Sequence, residues 1–208
     1  MSTALRFSSL GVLRLVRAQV DSALVPVGFS FDLARNLWRR SLGGEIEHFV
    51  TLPSDVADDY GPVVVTANLG VHCRTLANHL ALCDDPRRAQ NLATFTRNIG
   101  QLSAKRTWRD WIVRDADEAD RVARRLSAKI AAIGLPWLAR FGTLAAFAEG
   151  LRAFGREDHR QCAVPVLERL LADGAPADAV DDAWGTVREP AILTLRVDLN
   201  EIAWHCDE

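Results

Sequence analysis

The 208-residue chain is short of lysine, methionine and tyrosine: of 25 basic residues only Lys105 and Lys129 are lysines, and there is one methionine and one tyrosine. A basic complement that is almost all arginine, beside abundant alanine, points to a GC-rich bacterial genome, a statement about source and not about chemistry. No apolar run approaches the roughly 20 residues that cross a bilayer, which argues against a membrane partner. The stretch from Met1 to Val20 holds no acidic side chain and carries Arg6, Arg14 and Arg17. Those arginines interrupt any apolar signal core and no small-residue cleavage site follows, so a cytoplasmic protein is expected. The four cysteines, Cys73, Cys83, Cys162 and Cys206, contain no CxxC pair. A chain of this size needs no disulfide staples, and reduced, mostly buried thiols are expected. Catalytic signatures are missing too. There is no Gly-x-Ser-x-Gly elbow, no Gly-x-x-x-x-Gly-Lys-Ser/Thr loop and no Gly-x-Gly-x-x-Gly run. The paired carboxylates Asp58-Asp59, Asp84-Asp85 and Asp181-Asp182 fall in loops or caps, where turn chemistry accounts for them.

What is present is the balance of a globular domain, 49% hydrophobic and 25% charged, with length for one domain or one domain and an appendage. The net charge of −2 hides an asymmetry: Arg87 to Arg140 holds 12 Lys/Arg against 5 Asp/Glu, whereas Glu157 to Glu208 holds 4 against 12. Either the acidic tail packs beside the basic middle, or the middle faces an anionic partner.

The organising stretch is Pro62 to Cys73. Val63, Val65, Ala67, Leu69 and Val71 share one face of a period-2 pattern, and Val64, Thr66, Asn68, Gly70 and His72 share the other, as in one strand of an antiparallel sheet with a partly open face. Before it, Leu10, Leu13, Val16, Val20 and Leu24 predict an amphipathic helix over 10–25, stopped by Pro26 and Gly28. Extended chain over 29–42, a Gly43-Gly44 turn and alternation over 45–52 predict a hairpin. A polar loop over 53–61 then completes a three-strand meander. After Cys73 a short helix ends at Asp84-Asp85-Pro86, and 95–100 and 108–113 read as weaker strands. Asp115 to Ile133 reads as a helix with a capping box from Asp115 to Glu118, acid–base pairs Asp117/Arg121 and Asp120/Arg124, and a left-handed stop at Gly134. Helices follow over 143–154 and 158–172, the latter kinked or started by Pro165. A short helix is expected over 175–184, and 190–204 fits a strand and a helix about equally, with a lean to helix.

Val27-Gly28-Phe29, Trp38-Arg39-Arg40, Asn68-Leu69-Gly70-Val71, Arg97-Asn98-Ile99-Gly100-Gln101-Leu102, Trp108 with Trp111, and Gly134-Leu135-Pro136-Trp137-Leu138 occur in an order that resembles an uncharacterised bacterial family, domain of unknown function 4304. The likeness covers roughly 10–154. It implies an α+β domain in a cytoplasmic bacterial protein and carries no activity, so it supplies no catalytic residue.

Three chemistries compete for the candidate residues. His72-Cys73 with His79 and Cys83 has metal-compatible donors, since zinc and copper accept His and Cys, but its spacing matches no familiar module. Arg97, Lys105, Arg106, Trp108, Arg109, Trp111 and Arg114 interleave cations with indoles, as a single-stranded nucleic-acid platform does. Arginine and tryptophan also anchor protein interfaces. The overall expectation is an α+β fold: an N-terminal helix, an antiparallel sheet of about four to five strands, and a helical C-terminal half packed on one face. Residues 1–155 form the core domain and 156–208 an acidic, mainly helical extension. The favoured role is non-catalytic binding of a protein partner in a groove near Trp38, Asn68, Arg97, Trp108, Trp111 and Trp137, with no catalytic residue, metal or cofactor assigned. The alternatives are an enzyme whose site is assembled from distant residues, and nucleic-acid binding through 97–114.

Overall fold

A computed structural model describes residues 8–172 apart from 57, 83 and 84. The expected helix over 175–184, the stretch 190–204, Cys83, Cys206 and the acidic tail beyond 172 lie outside the described residues.

Helix α1 spans Ser9–Leu24. The Ser8 hydroxyl caps it by accepting from the Gly11 N–H, and Val12, Leu13, Val16, Val20 and Leu24 form its buried stripe. Leu10, expected on that stripe, is exposed. A 3₁₀ turn over Val25–Val27 ends in the left-handed Gly28 (φ 87°). The chain then enters a meander of β1 (Ser30–Asp32), β2 (Leu37–Leu42) and β3 (Ile46–Thr51). The β2–β3 hairpin turns through Gly43 and Gly44, both at positive φ, so the expected tight turn is where the sequence put it.

Pro62 to Cys73 is two strands. β5 (Val63–Thr66) lies between β4 (Ser54–Val56) and β8 (Asp110–Val113) in a small antiparallel sheet, while β6 (Asn68–Cys73) lies between β3 and β7 (Thr94–Asn98). The large sheet runs β1-β2-β3-β6-β7, antiparallel throughout. The chain changes sheets at Ala67. The alternation passes through this switch unbroken: Val63, Val65, Ala67, Leu69 and Val71 are all fully buried. β4, inside the segment expected to be loop, pairs Ser54 with Val65.

Two short helices, α2 (Arg74–Ala81) and α3 (Pro86–Leu92), link β6 to β7. The expected stop at Asp85-Pro86 is instead the start of α3, where Asp85 caps the Arg87 N–H and Pro86 occupies the first turn. Helix α4 (Ala116–Lys129) starts as predicted, with the Asp115 carboxylate accepting from the Glu118 N–H. Glu118 reaches back one residue further than a simple capping box, to the Arg114 N–H.

Gly134 does not stop the helix. It sits at φ −68° in a π-turn over Ile130–Gly134 that runs directly into α5 (Leu135–Ala139). A second π-turn, His159–Ala163, runs into α7 (Val164–Ala172), after α6 (Leu144–Phe154). Each π-turn is followed at the second residue by a proline, Pro136 or Pro165. Proline has no N–H to donate and its ring crowds the preceding turn, so a locally widened turn lets the helix continue through it.

Helices α5 and α6 pack on one face of the large sheet, and α1, packed on α4, is tied to the same face by the Trp38–Asp21 hydrogen bond. Phe95 from β7 meets Trp137, Phe141, Phe147 and Phe154 there, with ring centroids 5.2–6.1 Å apart. Ala163, Val164 and Leu167 belong to the same core. The opposite face carries Arg39, Ser41, Glu47, Thr51, Asn68, His72 and Thr96, exposed or half-buried, and no described helix lies flat upon it. Among the described residues no single helix is long and apolar enough to cross a membrane.

Candidate functional site

The six residues expected to line one groove are spread over the molecule. Trp38 is 1% exposed, donates from Nε1 to Asp21 of α1 at 2.8 Å and lies 4.9 Å from the Phe31 ring. Trp137 is buried toward the opposite edge of the same helix-covered face, in the Phe95 cluster. Arg97 stacks its guanidinium 5.1 Å over Phe154 beside that cluster, and burial lowers its pKa. Asn68 is half-buried on the open face, accepting from Asn98 at 3.4 Å. Trp111 is 8% exposed beneath Arg109, whose guanidinium lies 5.5 Å above its ring. Large indoles are worth more inside the core than at a surface, and three of these took that option.

Trp108 differs. It is 48% exposed, and Ile112 on β8 is 50% exposed. Trp108 and Trp111 are an odd number of residues apart, so extended chain sends them to opposite sides, and a period-2 reading separates what a list of tryptophans merges. Lys105, Arg106 and Arg109 surround Trp108 in sequence and are exposed. Among the described residues none of the three forms an ion pair, whereas Arg114 is taken by Glu118 at 3.4 Å. Among the described residues β8 is an edge strand, paired with β5 alone.

Asn98 holds this surface in place. It is 2% exposed. Its Oδ1 accepts from the Gly100 and Arg109 N–H groups at 2.8 and 2.9 Å, and its Nδ2 donates to the Thr66 hydroxyl and the Arg109 carbonyl at 3.0 and 3.1 Å. A side chain at Gly100 would place its Cβ 2.3 Å from the Thr107 carbonyl oxygen, which only glycine avoids. The Arg97-to-Leu102 motif is thus a clamp that pins the loop before Trp108 to the point where the chain changes sheets.

The described members of the metal-like cluster, His72, Cys73 and His79, do not form a ligand set. His72 and Cys73 are consecutive strand residues and point to opposite faces: His72 to the open face, Cys73 into the core, where burial pushes its thiol up to about 12. His79 turns its Nδ1 to the Thr75 carbonyl within α2. Among the described residues no three His, Cys, Asp or Glu side chains gather as a metal site would require. His48 and His159 are buried and bound. Arg40 donates to His48 Nδ1 and the His48 Nε2–H donates to the Phe141 carbonyl, both at 3.2 Å. His159 Nε2–H meets the Asn91 and Thr94 carbonyls at 3.0 Å, tying the second π-turn to the sheet.

A polar cleft of about 320 Å³ opens at the end of the open face, lined by Gly28, Ser30, Arg39, Arg40, Ser41, Glu47 and Arg74. These come from a turn, three strands and the start of a helix, and only the register places them together. The fold and these surfaces define an α+β protein with a helix-covered sheet, a tryptophan-bearing edge and an arginine-lined cleft. No family model, curated protein or solved structure matches this chain.

Proposed function

We propose that the chain is a non-catalytic binding module of the bacterial cytoplasm that docks an acidic protein segment on the surface around Trp108. The observation that carries this reading is a half-exposed indole and a half-exposed isoleucine beside an edge strand, in a collar of cations without acidic partners among the described residues. Exposed tryptophan with arginine is the composition of interface hot spots. The cations favour an acidic partner, and a strand with no second neighbour among the described residues accepts an extended one by adding a strand. The resemblance to domain of unknown function 4304 agrees with the α+β build and adds no activity.

A second reading, single-stranded nucleic acid, keeps the cations and one stacking ring. It loses Trp111 to the core and Arg97 to Phe154, so the platform shrinks to a single base. Fluorescence anisotropy with a labelled ten-residue peptide alternating glutamate and valine, its lysine counterpart and an oligo-dT of similar length separates the two. The acidic peptide is expected to bind, to weaken with salt, and to lose about tenfold or more in affinity in Trp108→Ala. Binding of oligo-dT in place of the peptide would transfer the surface to nucleic acid, and binding unchanged in Trp108→Ala would remove it from consideration.

A further inference from the structure

The cleft at the end of β2 shares no residue with the Trp108 surface and has its own logic. Among the described residues β1 pairs with Leu37–Arg39 alone, so Arg40, Ser41 and Leu42 continue past its end, and the left-handed Gly28 folds the preceding turn beside them. Arg39 and Ser41 stand on the open face with Glu47, which is directly opposite Ser41. Arg40 points the other way, its guanidinium 4.8 Å over the Phe29 ring, donating to the Val27 carbonyl at 3.0 Å and to His48.

The ion pairs here are loose. Arg39 is 3.6 Å from Asp32 and Arg74 is 3.8 Å from Glu47, both beyond hydrogen-bonding distance, and Arg40 has no carboxylate within 4.0 Å among the described residues. Buried Nε–H groups of Arg40 and Arg74 have no acceptor among the described residues. Burial lowers the Arg40 pKa, as expected of a cation that lacks a counter-charge. The guanidiniums of Arg39 and Arg74 face the cleft with Glu47, and that of Arg40 adds its charge from behind the strand; the lining as a whole carries two positive charges in excess, which Asp32, outside the lining, offsets in part.

We infer that this cleft binds a small phosphate monoester. Charge decides between the oxyanion classes: a carboxylate brings one negative charge, whereas a phosphate monoester brings about 1.5 to 2 at neutral pH and matches the excess. Its three terminal oxygens suit several guanidiniums at once, since the planar fork of each donates two parallel N–H groups. The Ser30 and Ser41 hydroxyls add donors, and the volume admits an organic portion beyond the phosphoryl group. Glu47 has two effects in this arrangement. It steadies Arg74 and repels the incoming anion.

The test is isothermal titration at low ionic strength with glycerol phosphate, inorganic phosphate and acetate, repeated at 150 mM salt. Circular dichroism and urea unfolding of each variant verify folding; Arg39 and Arg74 are partly exposed, so their removal is expected to leave stability nearly unchanged. Saturable binding of glycerol phosphate is expected, about tenfold tighter than acetate and weaker at high salt, with Arg39→Ala and Arg74→Ala each losing about tenfold. Glu47→Gln is expected to bind inorganic phosphate more tightly than the unaltered chain, an outcome that a merely structural ion pair does not produce. Absence of saturable phosphate binding in the folded, unaltered chain overturns the inference. So do equal affinities for acetate and phosphate, or a Glu47→Gln variant that binds phosphate no better.

Discussion

Asn98 commits its carboxamide oxygen, its amide nitrogen and its backbone N–H to the segment around it, the last to Gln101 Oε1 at 3.2 Å. Asn98→Ala leaves two backbone N–H groups, the Arg109 carbonyl and the Thr66 hydroxyl without this partner in a mostly buried place. Each unsatisfied group costs about 1–3 kcal/mol, reduced where water enters, so a loss of about 2–4 kcal/mol is expected in urea unfolding with an unchanged slope. Asn98→Asp is expected not to rescue, because it sets a carboxylate oxygen against the Arg109 carbonyl where Nδ2 donates. A loss below about 1 kcal/mol would mean that packing, and not this clamp, holds the loop. The sequence marked the Arg97–Leu102 motif but not its purpose, because its partners Thr66 and Arg109 lie 32 and 11 residues away. The same holds for the tryptophans, whose burial follows from neighbours supplied by distant elements.

Among the elements, period and turn chemistry carried the strands: β3 presents Ile46, His48, Val50 and then Leu52 inward as the alternation required. What periodicity hid was the change of sheet at Ala67, since a strand that bends into a second sheet keeps its alternation when both share one core. β4 was missed because three residues in a polar stretch give no pattern to read. Gly134 misled for a different reason. Glycine before Leu-Pro looks like a helix end, whereas here it permits close approach: a Cβ at this position would lie 2.5 Å from Leu69 Cδ2 and 3.3 Å from Ile99 Cδ1. Gly134→Ala therefore sets two effects against each other. Helix propensity favours alanine by about 1 kcal/mol, but overpacking a filled core costs about 1–3 kcal/mol. Net destabilisation of roughly 1 kcal/mol is expected, seen as a lower melting temperature. A stabilised variant would restore the view of Gly134 as an expendable break in the helix.

For the molecule as a whole, acid is the condition that tests the burial of its polar groups. His48 is fully buried and its pKa is lowered, mainly by burial and further by Arg40, against a raising contribution from the Phe141 carbonyl. His72, beside Glu47 and Thr94 in the sheet register, is held down to about 4, first by burial and then by the charge of Arg35, with Arg74 adding to it and the Ala93 carbonyl opposing. Both imidazoles ordinarily titrate near 6.5. Below that pH the unfolded chain takes up protons that the folded chain refuses, so stability falls as pH falls, and the part due to His72 is fully lost only below about 4. Its shift corresponds to no more than about 3 kcal/mol, because the ring is partly exposed. Carboxylates titrate mostly below pH 5, which leaves pH 6.5 to 5.5 to the histidines. Urea unfolding at pH 7.5, 6.5, 6.0 and 5.5 is expected to show stability dropping by more than about 1 kcal/mol per pH unit at the acid end. His72→Gln, which stays uncharged and keeps a donor toward the Thr94 hydroxyl, is expected to halve that slope. A flat profile in the unaltered chain would mean that both rings accept a proton while folded. The ladder Ser41, Glu47, His72 and Thr94 would then present a cation beside the arginine cleft.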